Sequence, residues 1–192
     1  MSNICIYMTE ERLKALKGKV HIKAWQKLPD GSEVVIKDDT FDNLIVNTGK
    51  DSILKRIGGT GLTCFGETGG IGIGDSTQAA ALTDTDLVAS SNKTWKDIST
   101  ADKTYVRPTL FVTADFGFSE GNFTWNEIGL CDDQGSPGNS PTEGSLLIAR
   151  QIDASPLVKD ATKRAIVEWQ LTLWLIKLER FPLDPYTYST IW

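Results

Sequence analysis

The most constraining feature of the sequence is the alternation of side chains between Ala165 and Leu175. Every odd position in this stretch is apolar, and Glu168, Gln170 and Thr172 lie between them at even positions. Successive side chains of a strand point to opposite faces, so a period of two predicts a β-strand with one buried face. Trp174 interrupts the polar face, which predicts that both faces are covered near the end of the strand.

The same period predicts two more strands in the middle of the chain. Apolar residues at every second position from Leu110 to Phe118 indicate one strand. The other is predicted from Asn122 to Leu130, with Ile128 and Leu130 on the opposite face from Trp125. The polar turn 119–121 separates them and ends in a glycine.

A hairpin is predicted near the N-terminus. Strand-like runs at Lys19–Lys27 and Glu33–Lys37 flank Leu28–Ser32, which contains Pro-Asp-Gly. Proline presets one turn residue and glycine accepts a positive φ, so this segment is a turn with a physical cause.

Helical signals are confined to two short segments. Thr48 and Asp51 have the spacing of a capping box, Ile53 and Ile57 share a face, and Gly58 supplies a stop. This predicts a helix at about 48–57. A second short helix is predicted over Thr9–Leu16.

The predicted fold is therefore mostly β: an antiparallel β-sandwich with one short α-helix and extended terminal arms. A chain of 192 residues is long enough for one ordinary core. The predicted organisation is an N-terminal segment, 1–40, whose hairpin packs on the main domain, a sandwich domain, 41–177, and an aromatic C-terminal arm, 178–192.

The glycine-rich segment 58–74 is not predicted to form a phosphate-binding loop. Gly61–Thr68 fits G-x-x-x-x-G-K-[ST] except that Glu67 replaces the lysine, and a carboxylate repels phosphate. Isoleucine and glycine then alternate up to Gly74, which predicts a strand on which another backbone or a bulky side chain packs closely.

No catalytic, cofactor-binding or metal site is predicted. Cys5, Cys64 and Cys131 are widely spaced, which favours buried or half-buried thiols over a zinc or redox motif. His21, the one histidine, is expected on the outward face of a strand. Asp84–Asp86 and Asp132–Asp133 lack the spacing of a calcium loop and are expected in solvated loops, the second within a long exposed hairpin loop at Cys131–Gly144.

Composition excludes further classes of function. The net charge of −5 weighs against a nucleic-acid partner, which requires clustered lysine and arginine. The sequence contains no apolar run of the roughly 18 residues that a membrane span needs, so no membrane insertion is predicted. The first residues lack a signal-peptide pattern, so a soluble, non-secreted protein is expected.

The C-terminal arm carries the predicted interface. Its aromatic residues are Phe181, Tyr186, Tyr188 and Trp192, and two prolines prevent a regular helix. Aromatic side chains left in water promote association. Two alternatives remain open at this point: the arm packs on its own sandwich, or it docks on a neighbouring subunit.

Beyond these local patterns, an ordered series of short motifs covers residues 43–175. The series consists of Asn43–Lys50, Ile71–Thr77, Asp84–Leu87, a strand pair ending in Asn126–Leu130, Leu146–Arg150, Pro156–Lys159 and Val167–Leu173. In this order the motifs resemble small virion structural proteins of tailed bacteriophages, described as tail, tail-fibre-like or minor structural proteins. Gly72-Ile73-Gly74 departs from the Gly-Thr-Gly more usual in that group.

The resemblance implies a non-enzymatic structural component of the virion and does not settle its place on the particle. We expect a protein without cofactors, made in the host cytoplasm and located in the tail, fibre or baseplate. We also expect a homo-oligomer that contacts other virion proteins, with a host receptor as a further partner left open. Two alternatives accompany this expectation. One is a decoration protein of the capsid, and the other is a carbohydrate-binding or glycan-cleaving domain that would use Trp95 and Trp125 as exposed aromatics beside acids.

Overall fold

The computed structural model describes residues 16–57, 69–98, 102–132 and 147–173. The elements in these ranges are β1 (Leu16–Lys27), β2 (Glu33–Asp42), β3 (Leu44–Ile45), α1 (Asn47–Ile57), β4 (Gly70–Gly74), β5 (Lys93–Asp97), β6 (Lys103–Val106), β7 (Thr109–Phe116), β8 (Thr124–Cys131), β9 (Leu147–Val158) and β10 (Lys163–Leu173).

The strands form two five-stranded sheets in which every pairing is antiparallel. Sheet A has the order β2-β1-β10-β7-β6, and sheet B has the order β3-β9-β8-β4-β5. This architecture confirms the predicted mostly-β sandwich with one short helix in the described ranges. The predicted terminal arms and the helix residues 9–15 lie outside the described residues, and Leu16 begins β1.

The main core lies between the two sheets. The odd positions of β10 from Ala165 to Leu171 are buried, as are Val112, Ala114 and Phe116 on β7, which confirms the alternation predicted for both strands. Sheet B contributes Trp125, whose ring meets Phe116 edge-on with centroids 5.0 Å apart. Large side chains from both sheets thus fill one continuous apolar layer.

The N-terminal hairpin is part of sheet A. The Leu28 and Gly31 amides donate within the turn to the carbonyls of Ser32 and Leu28, and Gly31 has a φ of 86°. Glycine accepts this left-handed conformation without strain. β1 lies between β2 and β10. The predicted boundary between the N-terminal segment, 1–40, and the sandwich domain, 41–177, falls inside β2.

The predicted pairing of the two middle strands is wrong. β7 pairs with β10 in sheet A, whereas β8 pairs with β4 and β9 in sheet B, so the turn at 117–123 carries the chain between sheets. The predicted opposition of Trp125 to Ile128 and Leu130 is also wrong. An irregularity in β8 between Trp125 and Glu127 changes the alternation, and all three apolar side chains enter the main core.

The outer face of sheet B is covered by a second, smaller apolar cluster. It contains Val46, Leu87, Trp95, Cys131 and Leu147. The Trp95 ring lies on β4, where a Cβ added to Gly72 would be 2.6 Å from it. This confirms the close approach predicted for the glycine-rich strand.

Helix α1 is attached to sheet B by close backbone contact. A Cβ on Gly49 would lie 2.2 Å from the Ile148 carbonyl oxygen. The Thr48 hydroxyl, predicted to cap the helix, instead donates to the carbonyl of Leu147 at 2.7 Å. The helix predicted at 48–57 is present, but this contact with β9 takes the hydroxyl assigned to its cap.

Candidate functional site

The most concentrated group of charges is a buried network on the outer face of sheet B. Glu127 on β8 and Arg150 on β9 are both fully buried, and the Arg150 Nε donates to Glu127 Oε2 at 2.7 Å. Arg150 Nη1 also donates to Asp84 Oδ2 at 2.8 Å. A buried guanidinium between two carboxylates satisfies the requirement that buried charges be paired.

The remaining bonds of this network go to the backbone of the segment 75–92. Glu127 accepts from the amides of Val88 and Ala89 at 3.0 and 2.6 Å. Arg150 donates to the carbonyls of Gln78 and Ala79 at 2.8 and 3.3 Å. The network therefore attaches the segment 75–92 to sheet B. Both carboxylate oxygens of Glu127 accept hydrogen bonds in it.

Gly74 leaves the space in which Glu127 lies. A Cβ at this position would be 2.4 Å from Glu127 Oε1 and 3.0 Å from the Ala89 Cβ. A side chain here would therefore displace the carboxylate from the amides it binds.

A second buried charge, Lys159, holds the turn between the two sheets. Its ammonium donates to the carbonyls of Gly117 and Glu120 at 2.7 and 2.6 Å and to Asn122 Oδ1 at 2.9 Å. Burial lowers the pKa of Lys159. The negative charges of Glu120 and Asp160 raise it, but by less than burial lowers it. The ammonium thus replaces water for three oxygens of one turn.

A third buried charge links the edge of sheet A to sheet B. Lys37 points inward from β2 and approaches Asp153 Oδ2 on β9 at 3.1 Å. It also donates to Asp39 and to the Ser155 carbonyl, both at 2.6 Å. An inward-pointing lysine is a known way to keep an edge strand from pairing with other chains.

These contacts correct the expectation of solvated acids. Asp84 was expected in a solvated loop but lies in the ion pair with Arg150, where it also accepts from the Ala81 amide at 2.9 Å. Asp86 binds the Lys93 ammonium at 2.6 Å. Asp132 is buried near Ser52, with 3.5 Å between Oδ2 and Oγ, while Asp133 and the rest of the loop to residue 144 lie outside the described residues.

The aromatics proposed for a sugar site are buried. Trp95 is 3% exposed and Trp125 is 0% exposed, and the Trp125 Nε1 donates to the Gly121 carbonyl at 2.7 Å. Neither ring is available to stack on a glycan, so these two residues are not the exposed aromatics that the carbohydrate-binding alternative requires. Residues 75–92 and sheet A cover them, which no local sequence pattern indicates.

The other candidate residues are distributed as follows. His21 lies half-buried on sheet A between the fully buried Val20 and Ile22, as predicted, and its Nε2 is 2.8 Å from Asp38 Oδ1. Cys131 is buried. The predicted interface residues and the two other cysteines lie outside the described residues: Phe181, Tyr186, Tyr188, Trp192, Cys5 and Cys64.

Sequence reasoning missed Arg150 and Lys159 as buried residues. The available signal was a single charged residue in an otherwise apolar run, Leu146–Arg150, and a lysine directly after Pro156–Val158. A charge at such a position is buried only when it has partners, and those partners come from distant segments.

In the part of the chain that the structure describes, sheet A has two edge strands with exposed hydrophobic residues. On β2 these are Val34, Val35 and Ile36, and on β6 they are Tyr105 and Val106. Beside β2 lies a groove of about 430 Å³ with apolar walls from β2 and from Pro156 and Leu157 on β9, and with polar walls from Lys37, Asp38, Asp39 and Ser155. These surfaces are suited to binding protein rather than to chemistry on a small substrate.

In ranges 16–57, 69–98, 102–132 and 147–173, no group of three histidine, cysteine or acidic residues is arranged to hold a metal ion. The same ranges contain no helix that is long and apolar enough to cross a membrane. Comparison of the chain with protein-family models, curated proteins and solved structures found no match.

Proposed function

We propose that this protein is a non-enzymatic structural component of a tailed-phage virion, located in the tail, fibre or baseplate. It assembles with copies of itself and with other virion proteins through sheet edges and terminal arms. The proposal rests on the ordered motifs of residues 43–175, and the geometry of those motifs supports it.

The observation that carries the proposal is the use of the polar motif residues as structural contacts. Asp84, Glu127, Arg150 and Lys159 come from four separate motifs. Glu127, Arg150 and Lys159 each bind backbone groups of a distant segment, and Asp84 accepts from the distant Arg150 guanidinium. A catalytic group needs a donor or acceptor position that can reach a substrate. Side chains that make their hydrogen bonds within the fold stabilise the fold instead.

The open edges of sheet A supply the second support. Exposed hydrophobic residues on β2 and β6 lie beside backbone groups that no other described strand of the sheet covers. Such edges are templates for strand pairing with another chain. A scaffold with rigid internal ion pairs and open edges suits a subunit of an assembly.

Antibody labelling of intact particles in the electron microscope tests the proposal. We expect label on the tail structure of particles that carry this chain. Label on the head would replace the tail assignment by capsid decoration. Particles that carry no label, although the antibody binds the denatured chain from infected cells, would contradict a virion role.

A further inference from the structure

We propose that residues 186–192 of one copy add as an extra strand to the β2 edge of a second copy, along Glu33–Ile36. The proposal rests on the function proposed above and names its acceptor surface and donor segment. It assigns a purpose to the exposed aliphatic residues of β2 and to the groove beside them.

The two halves of β2 differ in whether their side chains oppose pairing with a strand of another chain. From Lys37 to Asp42 the edge carries an inward lysine and three aspartates, which oppose pairing with another chain. From Glu33 to Ile36 it instead presents three consecutive aliphatic residues, all exposed. The unprotected half is therefore the acceptor.

The donor segment has the composition of a strand. Residues 186–192 read Tyr-Thr-Tyr-Ser-Thr-Ile-Trp, with no glycine, proline or charged side chain. Tyrosine, threonine, isoleucine and tryptophan all favour strands. In extended form Tyr186, Tyr188 and Trp192 share one face, so three of the four predicted interface aromatics face the same way.

The groove can receive one of these aromatic groups. Its volume of about 430 Å³ lies within the ~300–1,000 Å³ of pockets that bury small organic groups. Val35, Ile36, Pro156 and Leu157 supply apolar walls beside the edge that would pair. The polar walls come from Lys37, Asp38, Asp39 and Ser155, which suits the phenol hydroxyl of a tyrosine. Backbone bonds to the edge give affinity and the pocket gives selectivity, as in other cases of strand addition.

The reach of the chain favours a second copy over the same molecule. Leu173 pairs with Leu16 and Val34 with Gln26, so the two ends are ten residues apart along β1, about 33 Å. The thirteen Cα–Cα steps from Leu173 to Tyr186 span at most about 43–47 Å when fully extended. An arm folding back on its own β2 would have to cover the length along β1 and also cross β1 and β2, so it would use most of this reach. A neighbouring copy removes that constraint.

The test is sedimentation velocity of the full chain with Val35→Asp and with Leu82→Asp as control. Val35 is 48% exposed on the β2 edge of sheet A, and Leu82 is 44% exposed in the segment between β4 and β5. We expect V35D to weaken self-association at least tenfold and L82D to leave it within twofold. Thermal melts of both variants check that each remains folded.

Complementation identifies the donor. Tyr188→Asp should also abolish self-association, because its arm no longer enters the groove. A mixture of V35D, which retains the arm, and Y188D, which retains the edge, should form heterodimers that neither variant forms alone. Failure of the mixture to associate would overturn the pairing of arm and edge.

Hydrogen exchange on the unmodified chain avoids any folding defect of a variant. Amides of residues 33–36 should gain protection as concentration rises. Protection that does not change with concentration would mean that the chain's own segment covers the edge, which overturns the proposal. If V35D self-associates as strongly as the wild type does, only this inference is overturned. If the wild type itself stays monomeric, the proposed self-assembly is overturned as well.

Discussion

Arg150 and Arg164 make the same bond in two different places. Arg150 on β9 donates its Nε to Glu127 at 2.7 Å, and Arg164 on β10 donates its Nε to Glu33 at 2.9 Å. The Arg150 and Glu127 side chains are 0% exposed, whereas those of Arg164 and Glu33 are 28% and 31% exposed. Burial, rather than the bond itself, separates the two pairs.

The difference in burial has a physical consequence. Two charges removed from water depend entirely on each other and on nearby dipoles, so loss of one partner leaves an uncompensated buried charge. On the outer face of sheet A, water and salt screen the pair, and Arg164 also rests over the Trp25 ring at 4.2 Å. One pair is a requirement of the fold and the other is a modest contribution to stability.

The largest expected effect is that of Arg150→Met. Removal of the guanidinium leaves Glu127 charged in a buried site, so the free energy of unfolding should fall by about 3–5 kcal/mol. Arg164→Met is the matched control and should cost about 1 kcal/mol or less. Urea denaturation followed by tryptophan fluorescence measures both.

Equal losses for the two arginine variants would contradict the comparison. The double variant Glu127→Met/Arg150→Met sharpens it. It removes the fully buried one of the two carboxylates that R150M leaves without the guanidinium, Asp84 being the other, and should recover part of the loss. If the double variant is less stable than R150M, the bonds of Glu127 to the segment 75–92 stabilise the fold on their own.

A smaller effect is expected where helix α1 covers sheet B. Gly49→Ala places a Cβ against the Ile148 carbonyl, which is backbone and cannot move alone, so a loss of about 1–3 kcal/mol is expected. Helix propensity alone predicts the opposite sign, a gain of about 1 kcal/mol. Thermal unfolding decides, with the exposed Asp51→Ala in the same helix as control. A stabilised G49A would mean that the helix can move away from β9.

The smallest effect concerns Glu120, in the turn between the sheets. Burial raises its pKa, but bonds from Lys96 and the Gly117 amide outweigh burial, and the pKa is lowered below 4.5. A lowered carboxyl pKa stabilises the fold above pH 4.5, and this contribution is lost as the pH falls below that value. Glu120→Gln should therefore cost less than about 1 kcal/mol near pH 7, because Glu120 is partly exposed. The difference in the free energy of unfolding between wild type and E120Q should decrease towards zero at about pH 3. If this difference is the same at all pH values in the range, the carboxylate charge is not its cause.

Local patterns in the sequence were sufficient to predict several elements. The alternation at Ala165–Leu171 specifies which face of β10 is buried, because side-chain direction along a strand depends only on the neighbouring residues. The Pro-Asp-Gly turn closes the hairpin for the same reason: its backbone preferences belong to those residues. The glycines of β4 likewise indicated a close approach without indicating that Trp95 makes it.

The candidate site required partners that are far apart in sequence. Arg150 is 66 residues from Asp84 and 23 from Glu127, and neither separation follows a helical or strand period. Asp84 was expected in solvent because its local sequence is that of a loop. The burial of Trp95 and Trp125 depends in the same way on segments that fold over them.

The sequence by itself determined four strands of sheet A (β1, β2, β7 and β10), the first hairpin and the short helix, since each depends on the conformational preferences of adjacent residues. Only the tertiary structure decided that β7 and β8 lie in different sheets and that the β8 irregularity places Trp125 in the main core. It also decided that Glu127 and Arg150 are paired and buried. A buried charge is stable only where the fold supplies its counter-charge and hydrogen-bond partners, and here those groups come from segments that are distant along the chain.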